Sequence, residues 1–140
     1  MPIDYRFGRE QVEFREVLDL YAASTLGERR PIDDPARMEA MWQNANLIVT
    51  AWDGPLLVGL ARSLTDGVYC TYLSDLAVRV SHQRGGIGRE LISRTRAAAP
   101  QATIILLAAP KAVDYYPRLG FTRHESAWIL RPADPLPGDA

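Results

Sequence analysis

A glycine-rich turn with the sequence QRGGIG, residues 83–88, is the part of this 140-residue chain that most directly suggests a ligand site. It follows an apolar run and precedes an amphipathic stretch, so we expect it to join a strand to a helix. Glycines at such a junction let backbone N–H groups converge on an anion, and the helix dipole favours negative charge there. The turn therefore predicts a phosphate-binding site.

Two common phosphate-binding patterns do not fit this turn. A P-loop would need Lys and then Ser or Thr after Gly88, where the chain has Arg89 and Glu90. The dinucleotide-binding pattern would need a third glycine at Leu91. Arg89 falls in the first turn of the predicted helix, where a cation opposes the dipole unless an anion lies beside it. The alternative is a tight turn with two solvated arginines, Arg84 and Arg89.

The turn and its flanks resemble the acyl-CoA-binding motif of the GNAT N-acetyltransferase superfamily. In that family a strand of the form acidic-Leu-x-Val leads into Gln/Arg-x-x-Gly-x-Gly/Ala. The segment "DLAVRVSHQRGGIG" has this pattern, with Gln83, Gly86 and Gly88 in place. A second segment, "AVDYYPRLGF", is similar to the family's Ala-x-x-Phe-Tyr-x-x-x-Gly-Phe pattern. Because the order of predicted elements also agrees, the resemblance covers nearly the whole chain.

The resemblance implies an acetyl-CoA-dependent N-acetyltransferase. Such an enzyme moves an acetyl group to a primary amine of a small molecule or peptide by direct transfer in a ternary complex. An exposed sheet edge can pair with pantetheine, because that arm is itself a chain of amides. The residues implied to bind coenzyme A are Leu76, Ala77, Val78, Gln83, Arg84, Gly85, Gly86, Ile87, Gly88 and Arg89. One departure is Ala109, where the family often has an asparagine that contacts the cofactor.

Two side chains are candidates for proton transfer. Tyr116 matches the family's tyrosine near the CoA sulfur, so the resemblance implies that it protonates the departing thiolate. Its alternative role is an aromatic ring packed on a short helix. Asp75 lies in an otherwise apolar strand, where burial can raise a carboxyl pKa, so it is a candidate base. It can equally be a structural carboxylate that caps or pairs with an arginine. A backbone N–H near Val78 is the candidate oxyanion donor.

Composition and charge narrow the classes of partner. The net charge of −1 gives no basic excess for nucleic-acid binding. No apolar run approaches the roughly 20 residues of a membrane span, and no signal peptide is recognisable, so we expect a cytoplasmic protein with no membrane role. His82 and His124 lack metal-ligand spacing, so we expect no metal site. Cys70 is expected to be a small buried hydrophobe.

The apolar periodicity predicts the elements that hold these groups. In chain order they are a strand near residues 3–7, two helices, a three-strand meander with turns at 53–54 and 66–67, a helix after the glycine turn, a strand within 102–109, a short helix, and strands near 121–123 and 126–130. The continuous apolar run at 102–109 is typical of a central strand covered on both faces. A strand, turn, helix and strand in succession predict a right-handed crossover between parallel strands.

We therefore expect an α+β fold with α/β/α layers, GNAT-like, whose mixed, mostly antiparallel sheet has about seven strands and four helices. Its central parallel pair is expected around Leu76 and Ile105. One domain over residues 1–131 and a Pro-rich tail at 132–140 are predicted.

Two features remain open in the sequence. The acceptor amine is expected to contact residues 24–38 and the region around Trp128, but the mixed charges of residues 24–38 do not identify it. A noncatalytic acyl-CoA-binding or regulatory domain is the main alternative function, and a nucleotide-binding module is a lesser one. The family resemblance is compatible with a homodimer.

Overall fold

A computed structural model describes residues 2–138 of the chain. Their strands form one sheet in the order β1 (Asp4–Phe7), β2 (Leu47–Asp53), β3 (Leu56–Thr65), β4 (Cys70–Val78) and β5 (Thr103–Ile105). Neighbours from β1 to β4 are antiparallel, and β5 is parallel to β4. The predicted mixed sheet is confirmed. In the parallel pair, Ile105 lies opposite Tyr72, and Leu76 lies further along β4.

The expectation of about seven strands is wrong, because the sheet has five within the described residues. Residues 121–123 and 126–130 form no strand there. Their short apolar runs are separated by polar residues, which leaves too little hydrophobic face for an isolated hairpin. The run at 102–109 is not a central strand either: β5 ends at Ile105, lies at the end of the strand order, and leaves Ile105 53% exposed.

Residues 2–138 contain four α-helices, as predicted: α1 (Phe14–Ala22), α2 (Pro35–Asn44), α3 (Ile87–Ala98) and α4 (Tyr115–Arg118). The apolar spacing identifies the buried faces, since Val17 in α1 and Leu91 in α3 are both buried. α2 begins by local rules: Pro35 occupies its first turn, and the Asp34 carboxylate accepts a hydrogen bond from the Arg37 N–H.

Helices α1 and α2 cover one face of the sheet, and α3 covers the other. Leu60 of β3 belongs to the apolar cluster that α1 and α2 form with the sheet. The preceding residue, Gly59, points to the opposite face because strand side chains alternate. A Cβ at Gly59 would lie 3.0 Å from Ile87 and 3.1 Å from Leu91, so the absence of a side chain lets α3 pack close to β3. The start of α3 is thereby fixed against the sheet.

The chain divides after Leu107 into two compact units. The first contains the sheet and α1 to α3, and the second contains α4. The prediction of one domain over residues 1–131 stays a prediction. Residues 139–140, at the end of the predicted tail, lie outside the described residues. No helix within residues 2–138 combines the length and the apolar character that crossing a membrane requires.

Candidate functional site

The backbone of the glycine turn adopts left-handed conformations at two positions. Arg84 and Gly86 have φ values of 68° and 86°. Glycine takes this conformation freely, and Gly86 does so as the N-cap of α3. For a residue with a side chain it costs about 1–2 kcal/mol. Arg84 is therefore a strained residue, of the kind that clusters at ligand sites.

The turn offers a row of backbone donors without protein acceptors. Among residues 2–138, nothing accepts a hydrogen bond from the N–H groups of residues 84–89. Gly86 has no side chain with which to cap α3. The side chains of Arg84 and Arg89 are exposed, and neither forms an ion pair in the described chain. Amides without an internal acceptor, a helix N-terminus and two exposed cations fit an anionic group such as the diphosphate of coenzyme A.

Strand β4 carries a free backbone edge just before this turn. Pairing with β5 joins residues 70–72 to residues 103–105 and ends there, whereas β4 continues to Val78. On the side of β3, a register shift opposite Arg62 and Ser63 makes Ser74 the extra residue of a β-bulge. A bulge bends its strand and disrupts the ladder, which explains why pairing with β5 ends just before it.

The direction of the backbone groups along this edge can be read from one hydrogen bond. Arg79 donates its N–H to the Val58 carbonyl on β3 at 2.8 Å. Because successive residues of a strand alternate in direction, Leu76 and Val78 turn their N–H and C=O groups toward the other edge. The Gln83 side-chain amide donates to the Val78 carbonyl at 3.0 Å. The Val78 N–H and both backbone groups of Leu76 thus face the side that β5 leaves open.

Asp75, in the middle of β4, is fully buried. Its carboxylate accepts hydrogen bonds from Arg30 Nε at 2.7 Å, Arg62 Nε at 2.6 Å and the Tyr21 hydroxyl at 2.6 Å. The Ser74 hydroxyl lies 3.3 Å from Oδ1 and donates to it. We call these five residues the Asp75 cluster. The alternative that Asp75 pairs with an arginine is confirmed.

The expectation that apolar surroundings raise the pKa of Asp75 is wrong. Burial alone would raise this pKa, but the hydrogen bond and charge of Arg62 and the charge of Arg30 outweigh it, so the pKa lies below its usual value. A carboxylate with a lowered pKa and donors on both oxygens is a poor proton acceptor. Burial, followed by the Asp75 charge, raises the pKa of Tyr21 well above its usual value, so its phenol stays a donor.

Sequence reasoning misses the partners of Asp75, namely Tyr21, Arg30 and Arg62. A signal was present for Arg62, because it stands inside the apolar run "LLVGLARSLT" just as Asp75 stands inside the next one. Opposite charges in neighbouring buried strands must be paired, since an isolated buried charge is strongly unfavourable. In the sequence, Tyr21 shows only the spacing of an apolar helix face, and nothing local marks Arg30.

Tyr116 belongs to the second unit and is half-buried on α4. Its ring packs edge-on against Tyr115 and Phe121, with centroid separations of 5.2 and 5.4 Å. Burial, and then the neighbouring Tyr115, raises the pKa of Tyr116. The phenol is therefore protonated at neutral pH, as a proton donor must be. The packing role and the catalytic role are compatible in one side chain.

Cys70 and His82 are two further side chains for which the sequence gives an expectation. Cys70 is exposed, so the expectation that it is buried is wrong. His82 lies between the Ser81 hydroxyl at 2.7 Å and the Asp53 carboxylate at 2.9 Å, which ties the turn before the glycines to the end of β2. Within the part of the chain that the structure describes, no group of His, Cys, Asp and Glu is arranged to hold a metal ion.

A family model described as an acetyltransferase (GNAT) domain matches residues 23–129 of the chain. This range includes the Asp75 cluster apart from Tyr21, the free edge of β4, the glycine turn and Tyr116. The chain therefore belongs to the GNAT acetyltransferase family, which confirms the resemblance first seen in the glycine turn.

Individual relatives agree with this assignment. An uncharacterised, ycf52-like N-acetyltransferase of Prochlorococcus marinus is 29% identical over 127 residues, which cover 84% of this chain and 69% of the relative. The structure of a GNAT family acetyltransferase from Streptococcus pneumoniae is similar with a TM-score of 0.70 at 28% identity, covering 93% of this chain and 99% of that one. The aminoglycoside N-acetyltransferase AAC(6')-Iy, solved in complex with CoA, shares the fold with a TM-score of 0.71 at 17% identity, covering 94% and 95% of the two chains.

Proposed function

We propose that this acetyltransferase uses acetyl-CoA and moves its acetyl group to a primary amine of a small molecule or peptide. The observation that carries the proposal is the row of unpartnered backbone donors at residues 84–89, which directly follows the free edge of β4. Coenzyme A needs both features, because its diphosphate is anionic and its pantetheine arm carries amides. The CoA complex of the aminoglycoside N-acetyltransferase with the same fold supports this choice of ligand.

In the proposed complex, pantetheine runs as an added strand along Leu76, Ala77 and Val78, where both backbone groups of Leu76 face it and the backbone of Ala77 bonds to β3. The amides of residues 84–89, including Gly85, Ile87 and Gly88, hold the diphosphate, and the two exposed arginines of this segment add charge. Gln83 acts indirectly, since its side chain is already engaged with the Val78 carbonyl. It therefore holds the turn against the strand rather than binding the ligand itself.

Acetyl-CoA supplies an activated thioester to this site. During direct transfer, the amine nitrogen bonds to the acetyl carbon and the carbon–sulfur bond breaks. The Val78 N–H, which faces the open edge, is the proposed donor to the carbonyl oxygen. Tyr116 is the proposed acid that protonates the leaving thiolate. With ordinary pKa values of about 10 for the phenol and about 8.5 for the thiol, this transfer is uphill and depends on positioning. The proton lost by the amine goes to water.

The contacts of Asp75 support a structural role over the predicted role of general base. Both of its oxygens are occupied by Arg30, Arg62 and Tyr21, and its pKa is lowered. We therefore propose that Asp75 shapes β4 and takes no proton from the acceptor. A homodimer and a cytoplasmic location stay predictions.

Thiol release from acetyl-CoA across a panel of amines tests the function, with CoA binding measured in parallel by calorimetry. We expect turnover by the wild type and a loss of about 10²- to 10⁴-fold in kcat for Tyr116→Phe, because general acid catalysis contributes about that much. CoA should still bind to this variant.

Tyr115→Phe is the matched control, because it removes a phenol from the adjacent residue of the same helix. It should leave turnover unchanged. CoA binding by the wild type without turnover on any amine would favour a noncatalytic CoA-binding domain. Stabilisation by ATP or NAD but not by CoA would contradict the proposal.

A further inference from the structure

The segment that follows α1, residues 23–30, is tied at one end to β4 and at the other end to Val80, just beyond that strand. We call this segment the brace. The attachment points are residues 74–75 and residue 80. Leu76, Ala77 and Val78, the stretch proposed to pair with pantetheine, lie between them. The brace also begins the region expected to contact the acceptor amine. Its attachments therefore bear on both substrates.

The first attachment is made by Arg30. Its Nε donates to Asp75 Oδ1 at 2.7 Å, and its Nη2 donates to the backbone carbonyl of Ser74 at 2.9 Å. Ser74 is the bulge residue at which β4 stops following β5. The planar guanidinium thus holds a side chain and a backbone group of the bulge at once, a geometry that a single ammonium group does not reproduce.

The second attachment lies at the other end of the brace. The Val80 N–H, just beyond β4, donates to the Ala23 carbonyl at 2.9 Å. The adjacent Arg79 reaches back to α1, where its Nη2 donates to the Asp19 carboxylate at 2.9 Å. Val80 leads into the glycine turn, so this end of the brace is linked to the proposed diphosphate site.

The brace itself is held tightly between these points. The Ser24 side chain caps its 3-10 turn by accepting a hydrogen bond from the Leu26 N–H at 3.2 Å. A Cβ at Gly27 would lie only 2.5 Å from the Tyr21 carbonyl oxygen, so the turn packs directly on the end of α1. A shift at one attachment is therefore transmitted to the other, because close-packed segments have little room to deform.

We propose that Arg30 is a positioning residue through which the brace sets the geometry of the pantetheine-binding edge of β4. CoA binding then stabilises the brace in this position without contacting it, and the acceptor region and the CoA site are energetically coupled. The coupling is reciprocal, so a disturbance of the brace lowers the affinity for CoA. This inference rests on the proposed function, since it requires CoA to bind along β4.

The test compares Arg30→Lys with Arg29→Lys. Both changes keep the charge, but Arg29 is exposed and its side chain makes no ion pair among the described residues. We expect the dissociation constant for CoA, measured by calorimetry, to rise about tenfold in Arg30→Lys, equivalent to the loss of one charged hydrogen bond. Arg29→Lys should bind like the wild type. Hydrogen exchange should show that CoA protects amides of residues 24–30 in the wild type and in Arg29→Lys, but not in Arg30→Lys.

A second variant guards against misfolding of the first. Gly27→Ala leaves the Asp75 cluster chemically intact but displaces the brace, and it should also weaken CoA binding. Unchanged CoA affinity in both Arg30→Lys and Gly27→Ala, or undiminished protection of the brace in Arg30→Lys, would overturn the inference while leaving the proposed function in place. A wild-type protein that does not bind CoA would overturn the proposed function and this inference with it.

Discussion

Two polar regions adjoin the same stretch of β4, and they differ in how their hydrogen-bonding groups are satisfied. In the Asp75 cluster, each side-chain nitrogen of Arg30 and Arg62 donates to a protein oxygen. In the glycine turn, the N–H groups of residues 84–89 have no acceptor in the described chain. Complete internal pairing indicates a structural role, and backbone donors without an internal acceptor indicate a ligand. Asp75, the carboxylate that the sequence suggests for proton transfer, is thus a residue whose two oxygens both accept hydrogen bonds within the fold.

The largest effect is expected from Asp75→Asn. The amide removes the charge that pairs with Arg30 and Arg62 and leaves both guanidinium groups without a counterion in a buried setting. Breaking one side of a buried ion pair typically costs about 3–5 kcal/mol. We therefore expect the free energy of unfolding, measured with urea, to fall by about that amount. Asp33→Asn, at an exposed position, should change it by less than about 0.5 kcal/mol.

The pH dependence follows from the same pairing. Because the pKa of folded Asp75 is lowered, its stabilising contribution is fully present above the unfolded value of about 3.9. That contribution is lost as the pH falls from there through the folded pKa. The wild type should lose stability over this acid range more steeply than Asp75→Asn. Parallel pH profiles, or an Asp75→Asn variant as stable as the wild type, would contradict the structural role and restore the base as a candidate.

The glycine turn could be predicted from sequence because its signals are local. Its residues are contiguous, and the change from strand to helix periodicity on either side marks the junction. The same holds for the first helix, for the Asp34 cap of α2 and for the turns of the meander. In each case the residues that determine the structure are also those that form it.

The Asp75 cluster could not be assembled in this way, because its parts are distant in sequence. Arg30 and Tyr21 are separated from Asp75 by 45 and 54 positions. Only the register of β3 on β4, with its bulge at Ser74, brings Arg62 opposite Asp75. The apolar strand indicates that Asp75 is buried, but the direction of its pKa shift depends on these long-range partners. The strands expected at 121–123 and 126–130 are a different case, because within residues 2–138 these short apolar runs have no neighbouring strand to pair with.

A smaller effect should separate two adjacent glycines of the turn. Gly86 has a φ of 86°, so Gly86→Ala forces a side chain into the left-handed region at a cost of about 1–2 kcal/mol. Gly85 lies outside that region, and a Cβ there would meet only the His82 carbonyl oxygen at 3.8 Å. Gly85→Ala should therefore keep wild-type stability in urea unfolding. If the turn binds the diphosphate closely, Gly85→Ala should still weaken CoA binding in calorimetry. Full CoA affinity in Gly85→Ala would mean that this glycine is not needed for approach of the ligand.

The smallest effect is expected at Gln83, which tests whether the turn and the strand edge act together. Gln83→Met keeps the size of the side chain but removes the donor to the Val78 carbonyl, an exposed hydrogen bond worth about 0.5 kcal/mol. CoA affinity should fall about twofold if Gln83 only holds the turn in place. Gln83→Glu also loses the donor and adds a negative charge beside the proposed diphosphate site. Its loss of affinity should be larger and should shrink as salt screens the repulsion. Equal, salt-independent losses in the two variants would place the anion away from this turn, and the glycine turn would then be as purely structural as the Asp75 cluster.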